Sequence, residues 1–271
     1  MSRNEGDNAR MSMSYPEIRS KASPGEPAVG EMSVTTASLM FLAAFALSLA
    51  FSLDVIGNWS FWFDEAITAN VIRFDWHALV SDRLGNGHFP TYFAFLKVLG
   101  LASASDVALR LPSAVAGALA GGVMTVLVLR LSGPLTAAIF AILFAINPFV
   151  IYYDIEARPY AAMALFLSIA LVGYAGLFRA GTRLWAAIGL IAIGSIVAGL
   201  LVPAGIVSVA VQQVAILACG VRRFPRRIRL ALAGQAAVTW AIFVTASLQL
   251  TPGNGQQPLH LADLADTDQV L

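Results

Sequence analysis

Asp64 and Glu65 sit side by side in "SFWFDEAITANVIRF", a few residues beyond a long apolar run. Adjacent carboxylates among aromatics have two readings. Acids at the start of a helix cap its free N–H groups and favour the positive end of its dipole. A carboxylate held near a bilayer surface can also take a proton from an attacking hydroxyl. Further along, Arg110 stands in "LRLPS", His88 in "HFP", and Asp154, Glu156, Arg158 and Tyr160 crowd into "YYDIEARPY". An arginine at a span end snorkels to the interface, or its planar fork holds a phosphate. Asp154, Glu156 and Asp64 together offer the oxygen ligands that a hard divalent cation takes. Arg158 could equally tie its loop to Glu156 or Asp154. A lone interfacial histidine such as His88 serves as a polar anchor or lines a site.

The elements that carry these residues are apolar. The 271-residue chain is 58% hydrophobic and 12% charged, about half the charge of a soluble domain, and its mean hydropathy is +0.74. That composition marks an all-α integral membrane protein. Net charge is +1, which excludes the broad basic surface that nucleic acid requires. The single cysteine, Cys219, cannot form an intrachain disulfide and reads as a small core or lipid-facing residue.

About seven spans are expected, near 34–56, 108–130, 134–152, 160–178, 184–201, 203–219 and 229–250. The fifth and sixth come from one continuous apolar run, divided at Pro203 between Gly199 and Gly205. Residues 1–33 are polar and expected to be a disordered cytoplasmic tail. Residues 251–271 form a second tail, on the outer side. With the N-terminus inside, the short inner loops collect most arginines, including the run "RRFPRRIR", as the positive-inside rule requires. The acids and all three histidines then gather on the outer face. Ionisable groups at one end of a bundle suggest a site there, whereas a pump or channel places them in mid-span. The outer loop 57–107 is the longest. In it, "EAITANVIRFDWHALV" has helical apolar spacing, and "HFPTYFAFLKVLGLA" is too short to span and reads as an interfacial helix. Trp59, Trp62, Tyr152, Tyr153 and Tyr160 suit an aromatic belt.

The order of Asp-Glu after the first span, then "HFP", "ALRLPSA" opening the second span and "EARPYA" opening the fourth resembles the lipid-dependent GT-C glycosyltransferases. These include the protein mannosyltransferases and the aminoarabinose transferases. The resemblance covers roughly residues 34–178. It implies a bundle of spans with interfacial helices in the first outer loop. It also implies transfer of a sugar from a polyprenyl-phosphate donor to an acceptor on the outer face of the inner or plasma membrane. Within that resemblance Asp64 is the base and Glu65 orients acceptor or base. Arg110 and Arg158 are candidates for the donor phosphate, and His88, Asp154, Glu156 and Tyr160 line the substrate site. The mannosyltransferase branch, closer in its "EARPY" loop, implies no metal, although some relatives use a divalent cation. The relatives generally continue with further spans, so two other roles stay open. One is a non-catalytic module binding polyprenyl lipid or a partner subunit. The other is a small transporter or flippase. The sugar and the acceptor are not readable in the sequence.

Overall fold

The computed structural model describes residues 33–178, 183–219 and 224–250. The expected tails at 1–32 and 251–271, the Cys219 side chain and part of the "RRFPRRIR" run lie outside the described residues. The described chain is helical, without strands: α1 (Val34–Val55), α2 (Phe63–Val71), α3 (Trp76–Gly85), α4 (Thr91–Val98), a 3-10 turn (Leu101–Ser103), α5 (Asp106–Ser132), α6 (Pro134–Ala145), α7 (Pro148–Asp154), α8 (Tyr160–Leu177), α9 (Leu184–Leu201), α10 (Pro203–Cys219) and α11 (Arg226–Ser247).

Each long apolar run is helical because a helix pairs all of its backbone groups within the segment, as a lipid environment demands. Polar residues mark the starts: the Ser33 hydroxyl accepts from the Thr35 N–H at 3.2 Å, and Ser105 caps α5 through Ala108 N–H. Five helices are long and apolar enough to cross a bilayer: α1, α5, α8, α9 and α11. Such a set is compatible with a multi-pass membrane protein.

The count differs from seven at two places. The run expected to span at 134–152 is broken: Asn147 accepts from Phe149 N–H at 2.9 Å and Pro148 starts a new helix, so α6 and α7 meet at a 60° bend. Proline at the first helical position suits a helix start and not a helix interior. If the bent pair is one span, the number is six. The other is α10, at 17 residues, short of the roughly 20 that a straight crossing needs. Its start is where the sequence placed it: Val202 is extended, α9 ends at Leu201 and α10 begins at Pro203.

α5 is the central helix. Half of its apolar window is buried, against 17% for α1 and α11. It packs against α1, α6, α7 and α8, while α8 lies along α9 and α9 also meets α10 and α11. Close approach of α8 and α9 depends on a missing side chain, since a Cβ at Gly194 would come within 2.6 Å of the Ala170 amide, the usual use of small residues between membrane helices.

The 57–107 connection folds onto the end of this bundle. The segment expected as one helix, 65–80, is two. α2 stops at Val71, and Asp75 opens α3 by accepting from Ala78 N–H at 2.9 Å. Lys97 of α4 donates to the Ile72 and Phe74 carbonyls at 3.1 and 2.6 Å, and Arg73 Nε donates to Ala102 O at 3.1 Å. The two Lys97 bonds satisfy carbonyls freed past the end of α2, and the Arg73 bond ties that end to the 3-10 turn. Val71, Ile72, Leu79, Tyr92, Phe93 and Leu96 form a buried apolar cluster with Leu109, Ala157 and Leu201. That cluster fixes the loop helices to α5, to the 155–159 turn and to the end of α9.

Candidate active site

Asp64 and Glu65 occupy the first turn of α2, yet neither caps it. The N-cap is Trp62, which makes no side-chain bond, so the capping reading of Asp64 does not hold. Successive helical residues point about 100° apart, and the two acids separate accordingly. Glu65 faces inward with 2% of its side chain exposed, whereas Asp64 keeps 33% exposed.

Glu65 meets Arg110 through both oxygens: Arg110 Nε donates to Oε1 at 2.8 Å and Nη2 to Oε2 at 2.6 Å. The Ala157 N–H adds a third bond to Oε1 at 2.9 Å. The same guanidinium donates to the carbonyls of Ile56, Trp59 and Ser60 at 2.9, 2.7 and 3.3 Å. A guanidinium has five N–H groups, and these five contacts engage all of them. The Phe61 ring covers one face at 4.9 Å. Arg110 therefore gathers the chain leaving α1, the start of α2 and the 155–159 turn around one charge. A phosphate could reach it only by displacing one of these partners.

Arg158 is employed differently. It is buried, its Nη2 lies 3.3 Å from Asp64 Oδ2, and its Nε has no hydrogen-bond partner among the described residues. Its backbone is held instead: the Ser113 hydroxyl donates to Arg158 O at 3.0 Å and itself pairs with the Tyr92 hydroxyl at 2.8 Å. Tyr92 and Ser113 escaped the sequence reading because each stands within an apolar helical pattern. The only signal was a hydroxyl on a face otherwise bound for the core.

The remaining residues are divided between this centre and its surroundings. Burial, and then the positive charges of Arg83 and Arg158, hold the His88 imidazole below the ordinary value, opposed by Asp64 and Asp82. Glu156 is buried, and neither of its oxygens has a hydrogen-bond partner among the described residues. Burial raises its pKa above the usual carboxylate range, reinforced by Glu65 and Asp64 and opposed by Arg158. The Tyr152 hydroxyl also acts to lower it, approaching without meeting hydrogen-bond geometry. Trp59, Tyr152, Tyr153 and Tyr160 follow one another edge to face, with ring centroids 5.2–6.3 Å apart. They lead from the Arg110 end of the site to the start of α8. Asp154 is apart from the others. It is buried against α1 and α5, takes a 3.4 Å bond from the Ser52 hydroxyl, and packs where a Cβ on Gly117 would otherwise stand. Among the described residues, no three His, Cys, Asp or Glu side chains come together to hold a metal ion.

Chemically, the arrangement offers one accessible carboxylate beside one incompletely engaged cation, on a frame braced by a second, saturated ion pair. The first pair can accept a proton and stabilise an anion; the second can only position. No family model, curated protein or solved structure matches the chain.

Proposed function

We propose that the chain is an inverting glycosyltransferase that takes a sugar from a polyprenyl-phosphate donor. The observation that carries this reading is the contrast between the two arginines. Arg110 spends every N–H inside the protein, while Arg158 keeps a buried Nε unpartnered among the described residues beside Asp64, which is one-third exposed.

In this mechanism the acceptor hydroxyl gives its proton to Asp64 as its oxygen attacks the anomeric carbon. The bond between that carbon and the phosphate oxygen breaks, and its electron pair leaves with the phosphate. Arg158 meets the growing charge, where a fixed cation in a site of low polarity acts most strongly. A single displacement inverts the anomeric configuration. Glu65 and Arg110 hold the base and the cation in register, and His88, neutral at pH 7, borders the site. The chain works without a metal ion in this scheme. The bundle crosses the membrane up to seven times, with the bent α6–α7 pair and the short α10 as two of the crossings. The N-terminus lies on the cytoplasmic side and the site on the outer face of the plasma or inner membrane.

The test separates binding from chemistry. The chain in nanodiscs is titrated with polyprenyl phosphate, and release of polyprenyl phosphate from its sugar-linked form is followed in parallel. Arg158→Gln is expected to weaken binding by tenfold or more, the scale of a lost charged hydrogen bond. Asp64→Asn is expected to bind and not to turn over. Unchanged binding in Arg158→Gln removes the phosphate role.

A further inference from the structure

Glu65, the chain neighbour of Asp64, and Glu156, two residues before Arg158, line a pocket of ≈ 160 Å³. Trp59, Trp62, Tyr152 and Ile155 form its apolar walls, and Ser60, Glu65, Arg110 and Glu156 its polar ones. Glu156 is 4% exposed, and both its oxygens lack hydrogen-bond partners among the described residues. A buried carboxyl without donors is costly. Nothing in the apolar packing of the turn requires an acid there.

We propose that this pocket is a subsite for one neutral sugar ring, with two neighbouring ring hydroxyls donating to Glu156 and an apolar ring face resting on the Trp59 and Trp62 side chains. The assignment rests on the glycosyl-transfer reading and says where its sugar sits. The size is on the right scale: a closed cavity of about 150 Å³ holds a benzene-sized ring, and this open pocket of ≈ 160 Å³ has room for one ring. The chemistry supports it too. A hydrocarbon chain would leave the Glu156 oxygens unsatisfied. A sugar ring combines hydroxyl donors at its edge with C–H groups on its face, which matches a carboxyl flanked by exposed indoles; Trp59 and Trp62 are 56% and 45% exposed. Arg110 lines the pocket with every N–H already committed, which leaves the Glu156 oxygens as open acceptors on these walls.

The test is equilibrium binding without turnover. The full chain in nanodiscs is titrated with methyl glycosides of neutral pyranoses and of an amino sugar, followed by saturation-transfer NMR. A neutral glycoside is expected to bind, and Glu156→Gln to weaken it tenfold or more. Trp62→Ala, at an exposed position outside the core, is expected to weaken it as well, which guards against misfolding of the Glu156 variant. Neutral-glycoside binding that survives Glu156→Gln and Trp62→Ala overturns the subsite and leaves the Asp64 chemistry standing. Preference for the ammonium-bearing sugar overturns the neutral-ring assignment. Glycoside binding that depends on Glu156, in a chain that never releases polyprenyl phosphate, keeps the subsite and removes the transfer reading.

Discussion

Replacing Arg110 by lysine tests whether this arginine is a brace or a phosphate ligand. A guanidinium makes five bonds here, to both oxygens of Glu65 and to three carbonyls. An ammonium has three donors, so at least two of the five contacts are lost; Glu65 Oε1 keeps the Ala157 N–H, so at least one acceptor is left without a partner. An unsatisfied buried acceptor costs about 1–3 kcal/mol, which puts Arg110→Lys at roughly that destabilisation or more. Arg110→Met goes further, because Glu65 would keep a buried charge with only the Ala157 N–H; breaking a buried pair on one side costs about 3–5 kcal/mol. Removing both charges, Arg110→Met with Glu65→Leu, is expected to cost less than the sum of the two single changes, since neither leaves the other uncompensated. The assay is reversible unfolding in mixed micelles, followed by helix content, with donor binding measured on the same samples. The brace predicts a large stability loss for Arg110→Lys. Full stability together with lost polyprenyl-phosphate binding would refute it and return Arg110 to the donor site.

Three further outcomes follow from the geometry. Gly117→Ala drives a Cβ into the Asp154 carboxylate and is expected to cost about 1–3 kcal/mol as an overpacked core change, recovered in part by Asp154→Ala; thermal unfolding of the single and double variants checks it. Tyr92→Phe removes the hydroxyl paired with Ser113 and is expected to cost about 1 kcal/mol, with donor binding kept because Ser113 still donates to Arg158 O; parallel stability and binding measurements separate the two effects. Burial raises the Glu156 pKa, so its neutral form contributes stability that is complete below the unfolded-state value of about 4.3 and is lost as the pH rises through the folded value. Stability measured across that range is expected to fall for the wild type and to lack this component in Glu156→Gln.

Much of the architecture was legible because apolar run length is a direct consequence of bilayer thickness. The starts of α1 and α10 and the helical nature of the first outer loop were readable from the switch from polar to apolar residues after 33, from Pro203 and from the apolar spacing. The break at Asn147–Pro148 was not, because a hydropathy window averages over a single capping residue, and mean hydropathy is blind to a 60° bend. The division of the 65–80 segment at Asp75 was missed for the same reason. At the site, the sequence singled out the residues and not their pairing. Nothing in "DE" says which acid turns inward; that depends on where Arg110 and the Ala157 amide arrive, 45 and 92 residues later. Nor does the sequence distinguish an arginine with five partners from one with an unpartnered Nε. Asp154 shows the reverse limit: it sits two residues from Glu156, and the end of α7 sends it to the α1–α5 interface instead.

The account stands on Asp64 acting as a base beside Arg158. The most direct measurement is release of free polyprenyl phosphate from polyprenyl-phosphate sugars by the purified chain in nanodiscs, with an acceptor panel supplied, wild type beside Asp64→Asn. The account predicts release from the wild type and none from the variant, with both binding the donor and unfolding at the same temperature. Equal release from a folded Asp64→Asn protein would contradict it.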